Sequence, residues 1–134
     1  MAETAGATGA FHVKWIIGNI MPGAPLLHVD AVVVTPAHSI SGVAHLTQAT
    51  NPPLDVDFNI SGSYIDVTER NTTHFALLST SPSPLLGAPY LLLSMVLGAD
   101  WKTGKGSYRY VCGSLTGHQE NVPIKIEATV AATA

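Results

Sequence analysis

The sequence predicts an all-β domain folded as an antiparallel barrel of about eight strands, with a two-sheet β-sandwich as the alternative, and three observations carry that reading. Leu54-Asp55-Val56-Asp57-Phe58-Asn59-Ile60 alternates strictly between apolar and polar residues, as does Val122-Pro123-Ile124-Lys125-Ile126-Glu127-Ala128. A period of two sends successive side chains to opposite faces of an extended chain, so each segment is a strand with one dry and one wet face. About eight such segments are separated by clusters of turn residues, and no gap holds an amphipathic helix. Thirteen Thr and ten Ser also suit strands and turns better than helices.

The elements follow in order. A first strand near residues 11–20 carries Phe11, Val13, Trp15 and Ile17 on one face, and Met21-Pro22-Gly23-Ala24-Pro25 turns it into a second over 26–34, where His28 and Asp30 share the polar face. A third, over 40–48, sets Ile40, Gly42, Ala44 and Leu46 against Val43, His45 and Thr47. Asn51-Pro52-Pro53 then breaks the chain, because proline fixes φ and cannot continue a central ladder. Folding about that turn brings Leu46 to Val56, Ala44 to Phe58 and His45 to Asp57. The apolar phase slips near Gly62, from even-numbered Leu54, Val56, Phe58 and Ile60 to odd-numbered Ile65 and Val67, and a β-bulge is expected there.

A fifth strand runs over 73–80, and Ser81-Pro82-Ser83-Pro84 makes a stiff connection to a sixth over 90–100. Trp101-Lys102-Thr103-Gly104-Lys105-Gly106 leads to a seventh over 107–112, and residues 115–121 link that to the last strand. Cys112 is expected on the core face with Tyr108 and Tyr110, opposite Ile124 and Ile126, as an inert thiol. Short connections imply antiparallel pairing of sequence neighbours. Small Gly42 and Ala44 beside bulky Phe58 suit the curvature of a closed sheet, which favours the barrel.

A chain of 134 residues makes one domain, expected over 11–130 behind a loose tail at 1–10, and encloses a core without disulfides or a metal. One cysteine excludes an internal disulfide framework. The first ten residues have neither the basic start nor the apolar centre of a secretory signal, so cytoplasmic residence is the default expectation. Only 11% of residues are charged and the formal net charge is −3, with no basic run, which argues against nucleic-acid binding. No uncharged stretch reaches the ~20 residues of a membrane-spanning helix.

The candidate chemistry is thin. His45 with Asp57, and His28 with Asp30, read better as solvated cross-strand pairs than as acid–base or metal sites, since no nucleophile accompanies them and no zinc spacing is present. No catalytic residue, metal ligand or cofactor is therefore assigned. The glycine-rich stretch from Gly98 to Gly106 fails as a phosphate loop, with one residue too many between its glycines and Gly106 where a hydroxyl is needed. Trp101, Lys102 and Lys105 are the candidate ligand-binding residues, an indole plane and two cations on one turn for a small molecule or glycan. Asn59-Ile60-Ser61 and Asn71-Thr72-Thr73 match the glycosylation pattern by chance, given the missing export signal.

The sixth strand is apolar on both faces. Leu91, Leu93, Met95 and Leu97 are expected to point outward and to form an interface between copies, with cover by a loop such as residues 81–89 as the alternative.

Gly18-Asn19-Ile20, Ile60-Ser61-Gly62-Ser63-Tyr64 and Tyr108-Arg109-Tyr110-Val111 are the segments on which the chain, over about its full length, resembles a bacterial domain family of unknown function. The resemblance implies a small all-β bacterial protein and brings no catalytic residue, ligand or cofactor. Two functions follow as expectations. The first is a non-enzymatic binding or structural module that self-associates. The alternative is a small barrel enzyme, an isomerase or cyclase acting on an apolar molecule, and an empty interior holding a buried ionisable group would favour it. An outer-membrane barrel is disfavoured by the missing signal and by charges on the wet faces.

Overall fold

The barrel closes. A computed structural model describes residues 9–21, 23–49, 53–68, 71–80, 89–113 and 115–127, and of Leu115 only the backbone. It contains β1 (Ala10–Ile17), β2 (Leu26–Val34), β3 (Ser39–Gln48), β4 (Leu54–Thr68), β5 (Thr72–Thr80), β6 (Tyr90–Gly98), β7 (Gly104–Cys112) and β8 (Leu115–Ile126). Each strand pairs antiparallel with its sequence neighbours, and β8 returns to β1. The seam is short: Trp15, Ile16 and Ile17 pair with Ile126, Lys125 and Ile124, and the Gly18 and Glu127 amides donate to the Pro123 and Lys14 carbonyls.

The alternation sorts side chains as expected over β1 to β4. Val13, Trp15, Ile17, Leu27, Val29, Ile40, Ala44, Leu46, Phe58 and Ile60 are buried inside. Leu46 faces Val56, Ala44 faces Phe58 and His45 faces Asp57, the register that the Asn51-Pro52-Pro53 turn predicts. Leu54 and Val56 are only half-buried, being the first inward residues of β4 at the barrel's end.

Expectations fail at four places, each for a physical reason. No bulge occurs at Gly62: β4 runs unbroken for 15 residues, and Ile65 and Val67 are apolar residues on its outer face rather than a change of phase. The irregularity lies instead between β7 and β8 at Gly106/Tyr108, where Asn121 has a φ of 55° and its amide donates to Ser107 Oγ at 2.9 Å. That irregularity switches the inward positions of β8 from odd (Gly117, Gln119) to even (Val122, Ile124). Residues 115–121 are thus strand, not link, and Cys112 pairs with Leu115 at the hairpin end, half-buried rather than in the core. Ile126 is 37% exposed where the seam ends, so it is not core, whereas Ile124 is buried.

The fourth concerns β6. Leu91, Leu93, Met95 and Leu97 point inward with exposures of 0–2%. Leu91 and Leu93 lie opposite Tyr110 and Tyr108, not beside Ser107 and Arg109, so the bulkier apolar face of β6 fills the barrel. They offer nothing to a second copy. The face left outside is Tyr90, Leu92 and Val96. The expected cover at 81–88 and the tail at 1–8 lie outside the described residues.

Candidate functional site

Two clusters of ionisable side chains stand out, one at a barrel mouth and one on the outer wall. The mouth cluster starts from parity. The inward positions of β4 are even, so Asp66 continues the row of Phe58, Ile60 and Tyr64 to the rim; the same parity in β5 sends His74 inward ahead of Ala76 and Leu78. The Asp66 carboxylate meets His74 Nδ1 at 2.6 Å and His38 Nε2, from the β2–β3 turn, at 3.2 Å. Burial pushes the Asp66 carboxyl up, but the hydrogen bonds and charges of His74 and His38 outweigh it and hold the group below the usual carboxylate range. Burial, followed by the Asp66 charge, raises the neighbouring Tyr64 phenol.

His74 Nε2 lies 3.3 Å from the Ala99 carbonyl oxygen. Both ring nitrogens therefore face acceptors. The ring stacks on Trp101 with centroids 3.8 Å apart and planes 11° apart.

Trp101 is held from every side. Its backbone has a φ of 66°, a conformation bulky residues avoid, and the turn that imposes it is closed by the Gly98 amide on the Thr103 carbonyl and the Trp101 amide on the Gly98 carbonyl. Trp15 Nε1, from inside the barrel, donates to the Trp101 carbonyl at 2.7 Å, and Phe11 and Tyr64 meet the indole edge to face. The indole is 8% exposed and closes the mouth. As a sequence-derived candidate for ligand stacking, Trp101 is placed with its plane already occupied. Lys102 and Lys105 stay exposed on and after this turn, and neither forms an ion pair among the described residues. The turn thus presents cations without the aromatic plane.

The wall cluster spans β1 to β4 and the end of β8. His12 bonds Asp30, His28 Nδ1 lies 3.6 Å from Glu127, and His45 bonds Asp57 through Nδ1 and lies 3.0 Å from Asp55 through Nε2. His28 and His45 are themselves register partners. The hydrogen bond to Asp57 raises the His45 pKa, burial opposes it by less, and the Asp57 and Asp55 charges add to the rise. A shallow groove of about 350 Å³ runs between Lys14, His28, Asp30, Val43, His45 and Glu127. Among the described residues every ion pair has histidine as its cation, and no group of three His, Cys, Asp or Glu side chains converges as metal ligands.

The opposite wall is apolar. Ile65, Phe75 and Val96 are consecutive register partners across β4, β5 and β6, all outward and exposed, with Leu77 and Leu92 diagonal to one another beside them. A second groove, about 300 Å³, runs from Leu77 and Leu92 past Arg109 to His118 and Glu120. The interior between the walls is filled with side chains, and Tyr108 ends there with its hydroxyl buried and without a hydrogen-bond partner, its pKa raised by burial and then by Tyr110.

Fold and site together define an eight-stranded meander barrel with a packed interior, a plugged mouth and two chemically different outer walls. The chain belongs to the family described as domain of unknown function (DUF1842), which matches it over residues 8–115. The match ends where β8 begins, short of the residues that close the barrel. No curated protein matches the chain.

Proposed function

We propose that this protein is a non-enzymatic binding or structural module that works through its outer surface and self-associates. The filled interior carries the reading. Trp15, Phe58, Tyr64, Leu93, Met95 and Tyr108 occupy the volume in which a small barrel would hold a substrate, and Trp101 seals one end. Ligand sites are concave and bury most of what they bind, whereas the grooves on this barrel are shallow and open. The groups best suited to acid–base work are tied to one another: Asp66 is shared by His38 and His74, and none of the grooves described touches either Asp66 or His74. This weighs against the isomerase or cyclase alternative.

The outer surface also weighs against a lipid-facing barrel, because a membrane barrel needs an apolar band around its whole circumference. Here His12, Lys14, Asp30, His45 and Asp57 project from one side. The test is a titration with a fluorescent apolar ligand, cis-parinaric acid, read by energy transfer from Trp15 and Trp101. The module reading expects no saturable transfer. Stoichiometric, saturable transfer would establish an interior site and restore the enzyme or carrier alternative.

A further inference from the structure

We propose that the outer face of β4, β5 and β6 is the contact through which two copies of this chain pair, an inference that rests on the self-association reading above and gives it a surface. Ile65, Phe75 and Val96 form a row across three strands, with Leu77 and Leu92 beside it. Between them the outward positions are Ser63, Ser79 and Ser94, so the patch holds no charge. Leu77 is 55% exposed and Ile65 61%, in a chain otherwise poor in charge.

The occupant follows from area and charge. With Val67 and Tyr90 at its ends, the face presents seven large apolar side chains that are each 37–61% exposed, a continuous centre for the ~800 Å² that each partner gives a standard interface. An exposed apolar patch of this kind, rimmed by polar residues, is the signature of an interaction surface. A two-fold contact uses the same patch twice and needs only self-complementarity, which a neutral, gently ridged sheet face supplies. Lys105 lies directly beside Val96 and Arg109 beside Leu92, neither in an ion pair among the described residues. Both sit at the flank, where a rim keeps cations solvated. The apolar face stops there and at β3, so it is a patch on one side and not a belt.

The experiment is light scattering with sedimentation velocity on the full chain across a dilution series, for wild type, Leu77→Lys, Ile65→Lys and Val43→Lys. Val43 is equally outward and exposed but lies on the polar wall, so it controls for charge and β-propensity. Circular dichroism melts show which variants fold. The expected result is a concentration-dependent wild-type dimer whose dissociation constant rises roughly tenfold or more in Leu77→Lys and Ile65→Lys and is unchanged in Val43→Lys. A wild type that stays monomeric at high concentration overturns the proposal, as does a dimer indifferent to both apolar-wall variants. A monomer that cosediments with phosphatidylcholine vesicles overturns it in favour of a lipid surface. None of these outcomes touches the filled-interior reading, which stands or falls on the apolar-ligand titration.

Discussion

Gly62 to Ala is the substitution whose effect the barrel geometry defines most sharply. A Cβ at Gly62 would lie 1.9 Å from the Leu77 carbonyl oxygen and 2.8 Å from Leu78 Cα, both backbone atoms of β5. No rotamer change can relieve a contact with backbone, so the two strands must separate where β4 passes from its pairing with β3 to its pairing with β5. Overpacking of this kind costs typically 1–3 kcal/mol. For a chain of this length each kcal/mol lowers the melting temperature by about 4 °C, so a fall of roughly 4–12 °C is expected. Gly98 is the control. A Cβ there meets nothing closer than 3.8 Å, and Gly98→Ala is expected to be neutral or slightly stabilising because alanine restricts the unfolded chain. Differential scanning calorimetry on both variants decides the matter. Equal melting temperatures for Gly62→Ala and wild type would show that β4 and β5 do not approach this closely at Gly62.

Truncating the buried Phe58 to Ala should cost about 3–5 kcal/mol through lost burial and the cavity left behind, and an unchanged urea midpoint would remove Phe58 from the core. Trp101→Ala should destabilise by a similar ~3–5 kcal/mol while leaving Lys102 and Lys105 exposed; a normal melt would mean that the indole is not the mouth's plug. The pH dependence has two limbs. The raised His45 pKa gives stability that is complete below the ordinary histidine value and is lost as pH rises through the raised one, while the lowered Asp66 pKa gives stability present above the ordinary carboxylate value and lost as pH falls through the lowered one. Urea melts should therefore show a maximum between the two, with the alkaline limb flattened in Asp57→Asn by at most about 1 kcal/mol, because the His45–Asp57 pair is largely solvated. An alkaline limb unaltered in that variant would dissociate His45 from it.

What could be read from the sequence was set by whether local alternation suffices. The β3–β4 register was legible because Ala44, Leu46, Val56 and Phe58 leave one pairing about the Asn51-Pro52-Pro53 turn that keeps every apolar residue on one face. Alternation fails where both faces are apolar, because it gives the period and not the sign. That is why Leu91, Leu93, Met95 and Leu97 were expected outside, and why Ile65 and Val67 imitated a bulge at Gly62. It fails again over residues 115–121, whose inward positions, Gly117 and Gln119, carry no apolar signal. A Cβ at Gly117 would sit 2.6 Å from the Tyr110 hydroxyl, so glycine is required there by close packing rather than by a turn. The mouth cluster draws His38, Asp66 and His74 from three separate segments and becomes a site only when β3, β4 and β5 pair. One signal for it was present: Asp66 and His74 both occupy the apolar phase of their strands, where an ionisable residue needs a partner.

The division of the outer surface follows from the same strands that build the core. Once the interior has taken one face of every strand, the other faces are free to differ, and they differ by wall: histidines with carboxylates over β1 to β4, and aliphatic and aromatic side chains from the far half of β4 through β6. Stability alone does not require that division. The core is complete without Ile65, Phe75 or Leu77, and polar residues in those places would remove an aggregation risk at no loss of packing. Nor is the polar wall needed for closure, since His12–Asp30 and His45–Asp57 link strands whose ladders are already paired over eight or more residues. The proposed contact between copies gives the uncharged patch on one wall of this packed barrel a use that the barrel itself does not supply. The plugged mouth and the filled interior leave little else on the described molecule with the area to bind a partner of protein size.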